Sequence, residues 1–115
     1  MKEILKNRRL IYVGGKDREN KPKLGMMCYG CKCKDMGLRN DIGIELAKLS
    51  LQDGMENLGL IYPDSDSKNL KISLRSIKDQ PGGNCQEIAN YFDGGGHYNA
   101  AGFYIDSKLF KKWLG

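Results

Sequence analysis

Asp93-Gly94-Gly95-Gly96-His97-Tyr98-Asn99-Ala100-Ala101-Gly102-Phe103 is the stretch of sequence that predicts most about this chain. Three consecutive glycines allow a tight turn and a close approach of a ligand, because no Cβ stands in the way. The only histidine follows, and the two alanines with Gly102 predict a short helix over 98–101. A glycine turn that leads into a helix presents free N–H groups and the positive end of the helix dipole. The stretch therefore predicts a phosphate-binding loop, whereas a glycine run alone is also typical of a plain turn.

A strand predicted over 70–76 carries a second set of polar side chains. Because successive side chains of a strand point to opposite faces, one face is apolar and the other carries Lys71, Ser73 and Arg75. Arginine can bind a phosphate through two parallel hydrogen bonds, which lysine cannot do. This face either meets a ligand or is the solvated outer face of an edge strand. The apolar face, predicted to lie in the core, consists of Leu70, Ile72 and Leu74.

The remaining segments alternate between strand and helix patterns. Apolar runs predict four further strands, over 10–13, 24–29, 57–62 and 103–105, with a hairpin loop over 16–23 and a basic loop over 30–39. Helices are predicted after the N-caps Asn40 or Asp41, Asn84 and Ser107, the first of them ending at Gly54. Trp113 has the spacing of a core residue on the last helix, the alternative being a platform for a base. The interleaving predicts one α/β domain over 1–115, with a central mixed sheet of about five strands flanked by helices.

Composition narrows the class of protein and of partner. A chain of 115 residues with 40% hydrophobic residues fits one compact domain. A net charge of +5 favours an anionic partner such as a nucleic acid, although ordinary solubilising charge gives similar values. No apolar run reaches the roughly 20 residues of a membrane helix, and the first residues lack the apolar core of a signal peptide. We therefore expect a cytoplasmic protein with no membrane partner.

Four cysteines raise the question of a metal site. Cys28, Cys31 and Cys33 lie close together in sequence and include a C-x-x-C spacing, but a zinc site needs a fourth ligand. Cys85 fits the buried stripe of its helix, and His97 belongs to the glycine loop. The cluster is thus either a zinc or redox site or a set of strand-end and loop cysteines; disulfides are rare in the cytoplasm.

Three motifs resemble one protein family. Gly94-Gly95-Gly96-His97 followed after two residues by Ala100-Ala101-Gly102 resembles the GGGH-x-x-A-A-G signature of the DHH-associated (DHHA1) domain. Ser73-Leu74-Arg75-Ser76 is similar to the S-L-R-S strand of that family, and Asn40-Asp41-Ile42-Gly43 more loosely to the start of its first core helix. The resemblance spans 22–115, preceded by an N-terminal strand and loop over 1–21. It departs at Asp93, where many members carry a further glycine.

The resemblance implies a function and a set of residues. In DHH phosphoesterases, which include nanoRNase-type oligoribonucleases, RecJ-type exonucleases and cyclic-dinucleotide phosphodiesterases, this domain is the substrate-binding half. The fold it implies is a central sheet of about five strands with helices on its faces. The residues that would bind the phosphate and base of a short oligonucleotide are Ser73, Arg75, Ser76, Gly94, Gly95, Gly96, His97 and Asn99. A structural role for His97 is the alternative.

The resemblance also implies what this chain leaves to a partner. The metal-bearing DHH half is missing from the sequence, so the domain itself would need no cofactor and would not catalyse alone. Hydrolysis would require a partner DHH domain with a divalent metal, Mn²⁺ or Mg²⁺, either on a separate chain or on a longer parent protein of which this chain is a fragment. Two other classes stay open: a stand-alone RNA- or tRNA-binding domain, and a module that senses a small nucleotide such as a cyclic dinucleotide.

Overall fold

The centre of the molecule is a mixed sheet whose strands come from the whole length of the chain. The computed structural model describes residues 2–115, and for residues 2, 3 and 36 the backbone alone. Six strands form the sheet in the order β1-β2-β3-β4-β6-β5. Strands β2 and β3 are parallel, and the other neighbours are antiparallel. The strands are β1 Arg9–Val13, β2 Met26–Cys33, β3 Gly59–Pro63, β4 Asn69–Arg75, β5 Gly95–His97 and β6 Ala100–Asp106.

Residues 2–115 also form four α-helices and one 3₁₀ turn. They are α1 Lys2–Lys6, the 3₁₀ turn Met36–Leu38, α2 Arg39–Gln52, α3 Cys85–Tyr91 and α4 Ser107–Lys111. Helix α1 precedes β1, α4 follows β6, and the others lie between strands. The predicted α/β class and helix-flanked mixed sheet are confirmed, with one strand more than the expected five. Helix α1 was not predicted, and the expected loop over 30–39 contains the last residues of β2 and the 3₁₀ turn. No helix within residues 2–115 is long and apolar enough to cross a membrane.

The glycine-rich stretch forms a β-hairpin, so the prediction of a helix over 98–101 is wrong. Strand β5 pairs with β6 in the register Gly95↔Gly102 and His97↔Ala100, and Tyr98 and Asn99 form the turn between them. Pairing of β6 with β4 along seven residues overrides the helix propensity of the two alanines. The additional strand is therefore the glycine run itself, and no helix begins after it.

The helix caps agree with the sequence in one case out of three. Asn84 caps α3 as predicted, its side chain accepting a hydrogen bond from the Glu87 amide at 3.1 Å. Helix α2 begins at Arg39 after Leu38, with no side-chain cap, so the predicted caps Asn40 and Asp41 instead lie inside its first turn. Helix α4 is capped by Asp106 and not by Ser107, because the Asp106 carboxylate accepts from two amide groups of the first turn.

Apolar side chains fill both faces of the sheet. Helices α3 and α4 cover one face together with Trp113, whose predicted place in the core is confirmed by its 1% exposure. The apolar side of β4 (Leu70, Ile72 and Leu74) lies in this core, as predicted. Helix α2 covers the other face over β2 and β3, where a smaller core consists of Cys31, Cys33, Ile42, Leu46 and Ile61.

Helix α2 approaches the sheet closely because two glycines face each other. A Cβ on Gly59 of β3 would collide with the carbonyl oxygen of Gly43 in α2. A Cβ on Gly43 would in turn lie 2.5 Å from Cγ of Arg75 on β4. The aliphatic part of Arg75 is thus packed against the helix, on the face of the sheet that carries α2.

The two outer strands of the sheet differ in how their free edges are covered. Residues 113–115 run along the outer edge of β1, where the Tyr12 amide donates to the Trp113 carbonyl and the Gly115 amide to the Leu10 carbonyl. Strand β5, only three residues long, forms the opposite edge. The glycine run therefore lies at one side of the sheet, next to β6.

Candidate functional site

The register of the sheet brings the predicted residues of β4 and of the glycine run to one region. Arg75 pairs with Ala100, which pairs with His97, so these three residues form one row across β4, β6 and β5. Ser73, Gly102 and Gly95 form the next row on the same face of the sheet. Two strand spacings of about 4.8 Å place the Arg75 and His97 backbones about 10 Å apart. Residues from distant parts of the sequence therefore meet on this side of the sheet.

Helix α2 covers only part of the face on which Arg75 lies. We call the part over β2 and β3 the covered half, and the part formed by β4, β6 and β5 the bare half; at their border Arg75 packs against α2 and Ser73 is 3% exposed. A shallow groove of about 200 Å³ runs across the bare half, between the first turn of α2 and β5. We call it the basic trough; its lining consists of Arg39, Lys71, Ser73, Arg75, Gly95, Gly96, Ala100, Ala101 and Gly102. Its floor thus consists of small residues and its walls carry cations.

Three positive side chains line the trough without a negative partner. In the described part of the chain, the ion pairs involve Lys21, Lys32, Lys34 and Lys48, so Arg39, Lys71 and Arg75 form none. Partial burial, together with the nearby charge of Arg39, lowers the pKa of Arg75 from its ordinary value. A guanidinium nevertheless stays charged in proteins. The trough therefore concentrates positive charge that an anion would neutralise.

Arg75 is held in place by neutral partners. Its Nε donates to Oδ1 of Asn40 at 3.2 Å, and its Nη1 donates to the Leu74 carbonyl at 2.8 Å. These bonds orient the guanidinium, whose fork carries five N–H groups in all. Because neither acceptor is charged, the positive charge of Arg75 is positioned but not cancelled.

The first turn of α2 adds to the positive potential. Arg39 is the first residue of this 14-residue helix, which Leu38 precedes without a side-chain cap. The start of a helix carries a partial positive charge, which the Asp41 carboxylate in the same turn reduces. The sequence predicts a helix N-terminus at the glycine run. The helix N-terminus that lies at the trough is instead that of α2, from a distant part of the chain.

His97 lies at the rim of the trough. It follows the lining residue Gly96, pairs with Ala100 and is exposed to solvent. Within residues 2–115, its imidazole makes no hydrogen bond or ion pair to another side chain or to the backbone. An exposed imidazole can donate or accept a hydrogen bond toward a ligand that reaches this rim.

Ser76 and Asn99, predicted to bind substrate, hydrogen-bond to each other. The Asn99 amide donates to the Ser76 hydroxyl at 2.8 Å, and that hydroxyl donates to the Gly83 carbonyl at 2.7 Å. Ser76 is 4% exposed, and neither residue lines the trough. The pair connects the end of β4 with the β5–β6 turn, so it supports the hairpin that carries His97.

Gly94 and Gly96 are needed for the packing of the hairpin, whereas Gly95 has space for an added Cβ atom. A Cβ on Gly94 would lie 2.5 Å from Cβ of Phe103, and Gly96, at φ +145°, leaves no space beside Ala101. Around Gly95 the nearest atom to an added Cβ is Oδ1 of Asn90, at 3.8 Å. Two of the three glycines are therefore required by close approach of β5 to β6.

The cysteines do not form one metal site. Cys28 lies in the core under α3 and α4, while Cys31 and Cys33 lie under α2 on the other face of the sheet. The sheet thus separates the three ligands of the suggested zinc site. Burial raises the pKa of the Cys31 thiol to about 11. Among the described residues, no group of three or more histidine, cysteine or acidic side chains is arranged to hold a metal ion.

Two of the three cations that line the trough, Lys71 and Arg39, are not among the site residues predicted from the sequence. Lys71 had a detectable signal, because strand alternation puts it on the same face as Ser73 and Arg75. The sequence carries no such signal for Arg39, because only the packing of α2 on the sheet brings this residue to the trough. Asn40, expected to cap a helix, instead orients Arg75.

Comparisons with known proteins show similarity to solved structures but to no known family. No protein-family model matches the sequence, and no curated protein matches it. A crystal structure of an uncharacterized protein from Helicobacter pylori G27 is similar, with 23% sequence identity and a TM-score of 0.45. The similarity covers 70% of this chain, which spans 21% of the length of the Helicobacter protein. The resemblance to the DHH-associated domain therefore stays a prediction.

Proposed function

We propose that this chain is a nucleic-acid- or nucleotide-binding module that grips the phosphate of a short oligonucleotide. The observation that carries the proposal is the basic trough, where Arg39, Lys71 and Arg75 meet without a carboxylate partner over a floor of small residues. Phosphate oxygens accept strong hydrogen bonds from such cations. The floor of glycine and alanine lets a sugar-phosphate chain lie close to the sheet.

The residues of the trough take different roles in this proposal. Arg75, oriented by Asn40, binds the phosphate through its guanidinium fork. Arg39 and Lys71 add charge at either side. His97 donates a hydrogen bond to a phosphate oxygen or to a base edge from the rim. Ser76 and Asn99 act indirectly, because they hold the hairpin in place.

In this proposal, a partner domain carries out the hydrolysis. The three motifs that resemble the DHH-associated domain motivate this division, since that domain is the substrate-binding half of its enzymes. The partner would be a DHH domain that carries Mn²⁺ or Mg²⁺ and receives the oligonucleotide end. The chain described here contributes affinity and orientation, while the bond-breaking step takes place on the partner.

A binding titration tests the proposal. A short oligoribonucleotide labelled at its 3′ end, with or without a 5′ phosphate, is titrated into wild type, Arg75→Ala, Arg75→Lys and His97→Ala while fluorescence anisotropy is measured. Charged hydrogen bonds contribute about 1.5–3 kcal/mol, so Arg75→Ala should weaken binding of the phosphorylated strand about 10- to 100-fold. Arg75→Lys should restore little, because lysine lacks the planar fork.

Arg18→Ala is the matched control, since it removes the same charge from an exposed loop outside the trough. Equal losses in Arg18→Ala and Arg75→Ala would overturn the proposal and leave only general attraction by the net charge. Binding that requires a long RNA and weakens steeply with salt would favour the stand-alone RNA-binding class. Tight, salt-insensitive binding of one cyclic dinucleotide would favour the sensing class.

A further inference from the structure

The basic trough continues into a second depression. This outer depression has a volume of about 520 Å³ and shares Lys71, Gly95 and Gly102 with the trough. Its other walls include Asn69, Asp93 and Tyr104. The two depressions thus form one channel along β6, with Lys71 at their junction. A ligand whose phosphate lies at Arg75 can extend along this channel.

Tyr104 presents its ring to the outer depression. Strand β5 pairs with β6 only at residues 100–102, so Tyr104 has β4 on one side and no β5 residue on the other. Its cross-strand neighbour is Lys71, whose Nζ lies 4.9 Å from the ring centroid. The side chain is 66% exposed, while its neighbours Phe103 and Ile105 point into the core. The ring therefore contributes little to the core and stands where the channel passes.

The positive charge falls off along the channel. The inner end carries Arg39 and Arg75, whereas the outer depression, which shares Lys71 with the trough, adds the neutral Asn69 and the Asp93 carboxylate. A phosphate is attracted to the inner end and repelled near Asp93. A nucleobase is uncharged, and its π-face stacks on an aromatic ring whatever its sequence. The outer depression thus suits the base of a bound oligonucleotide better than its phosphate.

We infer that Tyr104 is a base-stacking residue, and that it receives a base of the oligonucleotide whose phosphate is held at Arg75. The inference rests on the proposed function and adds a second contact to it. The rows of Arg75 and Lys71 are four residue steps apart, a distance of about 13 Å along β4. Because phosphate and base are held this far apart, the ligand is at least a dinucleotide.

Two ligands with the same backbone test the inference. One is a 5′-phosphorylated tetra-adenylate, and the other is an abasic strand of the same length with the same phosphate. Tyr104→Ala should weaken binding of the tetra-adenylate about 5- to 100-fold, the range found when a stacked aromatic residue is removed. It should leave binding of the abasic strand unchanged. Tyr104→Phe should bind both like the wild type, because the ring is kept.

Tyr91→Ala is the matched control, because Tyr91 is 68% exposed on α3 and lines neither depression. If Tyr104→Ala changes neither ligand while Arg75→Ala weakens both, the stacking inference is overturned and the phosphate site stands. If Tyr104→Ala weakens both ligands equally, or no more than Tyr91→Ala does, stacking is again overturned. If neither Arg75→Ala nor Tyr104→Ala affects binding, the proposed function fails together with it.

Discussion

The covered half and the bare half of one sheet face are built from the same strand geometry but from different side chains. Under α2, the positions that face the helix are apolar, as at Cys31 and Ile61, both at most 2% exposed. On the bare half, the equivalent positions of β4 are Lys71, Ser73 and Arg75. The contrast shows that alternation fixes which side chains share a face, whereas the chemistry of those side chains differs between the part that α2 covers and the part that it leaves open.

The most disruptive change is expected in the covered half, at Gly59→Ala. An added Cβ would meet the Gly43 carbonyl oxygen, which belongs to the helix backbone and cannot move aside as a side chain could. We expect a loss of about 3 kcal/mol or more in the free energy of unfolding, measured by urea titration. Gly95→Ala in the bare half is the control, since its nearest neighbour would lie 3.8 Å away. Equal losses would show that the two halves do not differ in packing.

The next effect concerns the polar contacts that support the bare half. Ser76→Ala removes a hydroxyl that bonds both Gly83 and Asn99, and it leaves the Gly83 carbonyl without this donor. We expect a loss of about 1–3 kcal/mol. In urea titrations, Ser76→Ala combined with Asn99→Ala should lose less than the sum of the single variants, because they share one bond. Full additivity would contradict a hairpin held by this pair.

The Cys31 thiol of the covered half makes the free energy of unfolding depend on pH. The pKa of Cys31 is raised by burial from 9.0 to about 11, so the folded chain keeps the proton longer than the unfolded chain does. The contribution is complete below pH 9 and is lost progressively as the pH rises toward 11. Urea titrations with a reducing agent should show a loss of about 1 kcal/mol from this thiol between pH 9 and 10. Cys31→Ala should give a shallower slope; an unchanged slope would contradict it.

The smallest expected effect is an increase in the free energy of unfolding, and it concerns a residue that lines the bare half. Arg39 places a positive charge at the positive start of α2 and close to Arg75. Arg39→Ala should therefore raise the free energy of unfolding by about 0.3–1 kcal/mol. The same variant should weaken oligonucleotide binding and reduce its salt dependence. A less stable variant would mean that Arg39 serves packing, as residues of the covered half do.

The sequence predicted the sheet better than it predicted the region around the glycines. Strand alternation at Leu70, Ile72 and Leu74 and the cap at Asn84 depend on local residues, and both are confirmed. Where the hairpin lies, the local pattern predicts a turn and a helix, because Ala100 and Ala101 favour helix locally. Their partners on β4 lie some 25 residues away, and no local pattern reveals that pairing.

The candidate site was predictable only where its residues share a strand. Ser73, Arg75 and the glycines line the trough, and the face of β4 that carries them follows from alternation. Arg39 reaches the trough through the packing of α2, which depends on the meeting of Gly43 and Gly59. Ser76 and Asn99 matched a motif, but the structure uses their polar groups internally. Such tertiary arrangements are not encoded in the spacing of residues along the chain.

The cover on the outer edge of β1 has a consequence for the kinetics of folding. Arg9 and Gly115 are 106 residues apart in sequence, yet the segments that contain them are hydrogen-bonded along this edge. Contacts of such long separation close large loops, and they slow the search for the native state. We expect docking of residues 113–115 to be a late event. The exchange rate of the Tyr12 amide proton, which is bonded to Trp113, should therefore report when the sheet is complete.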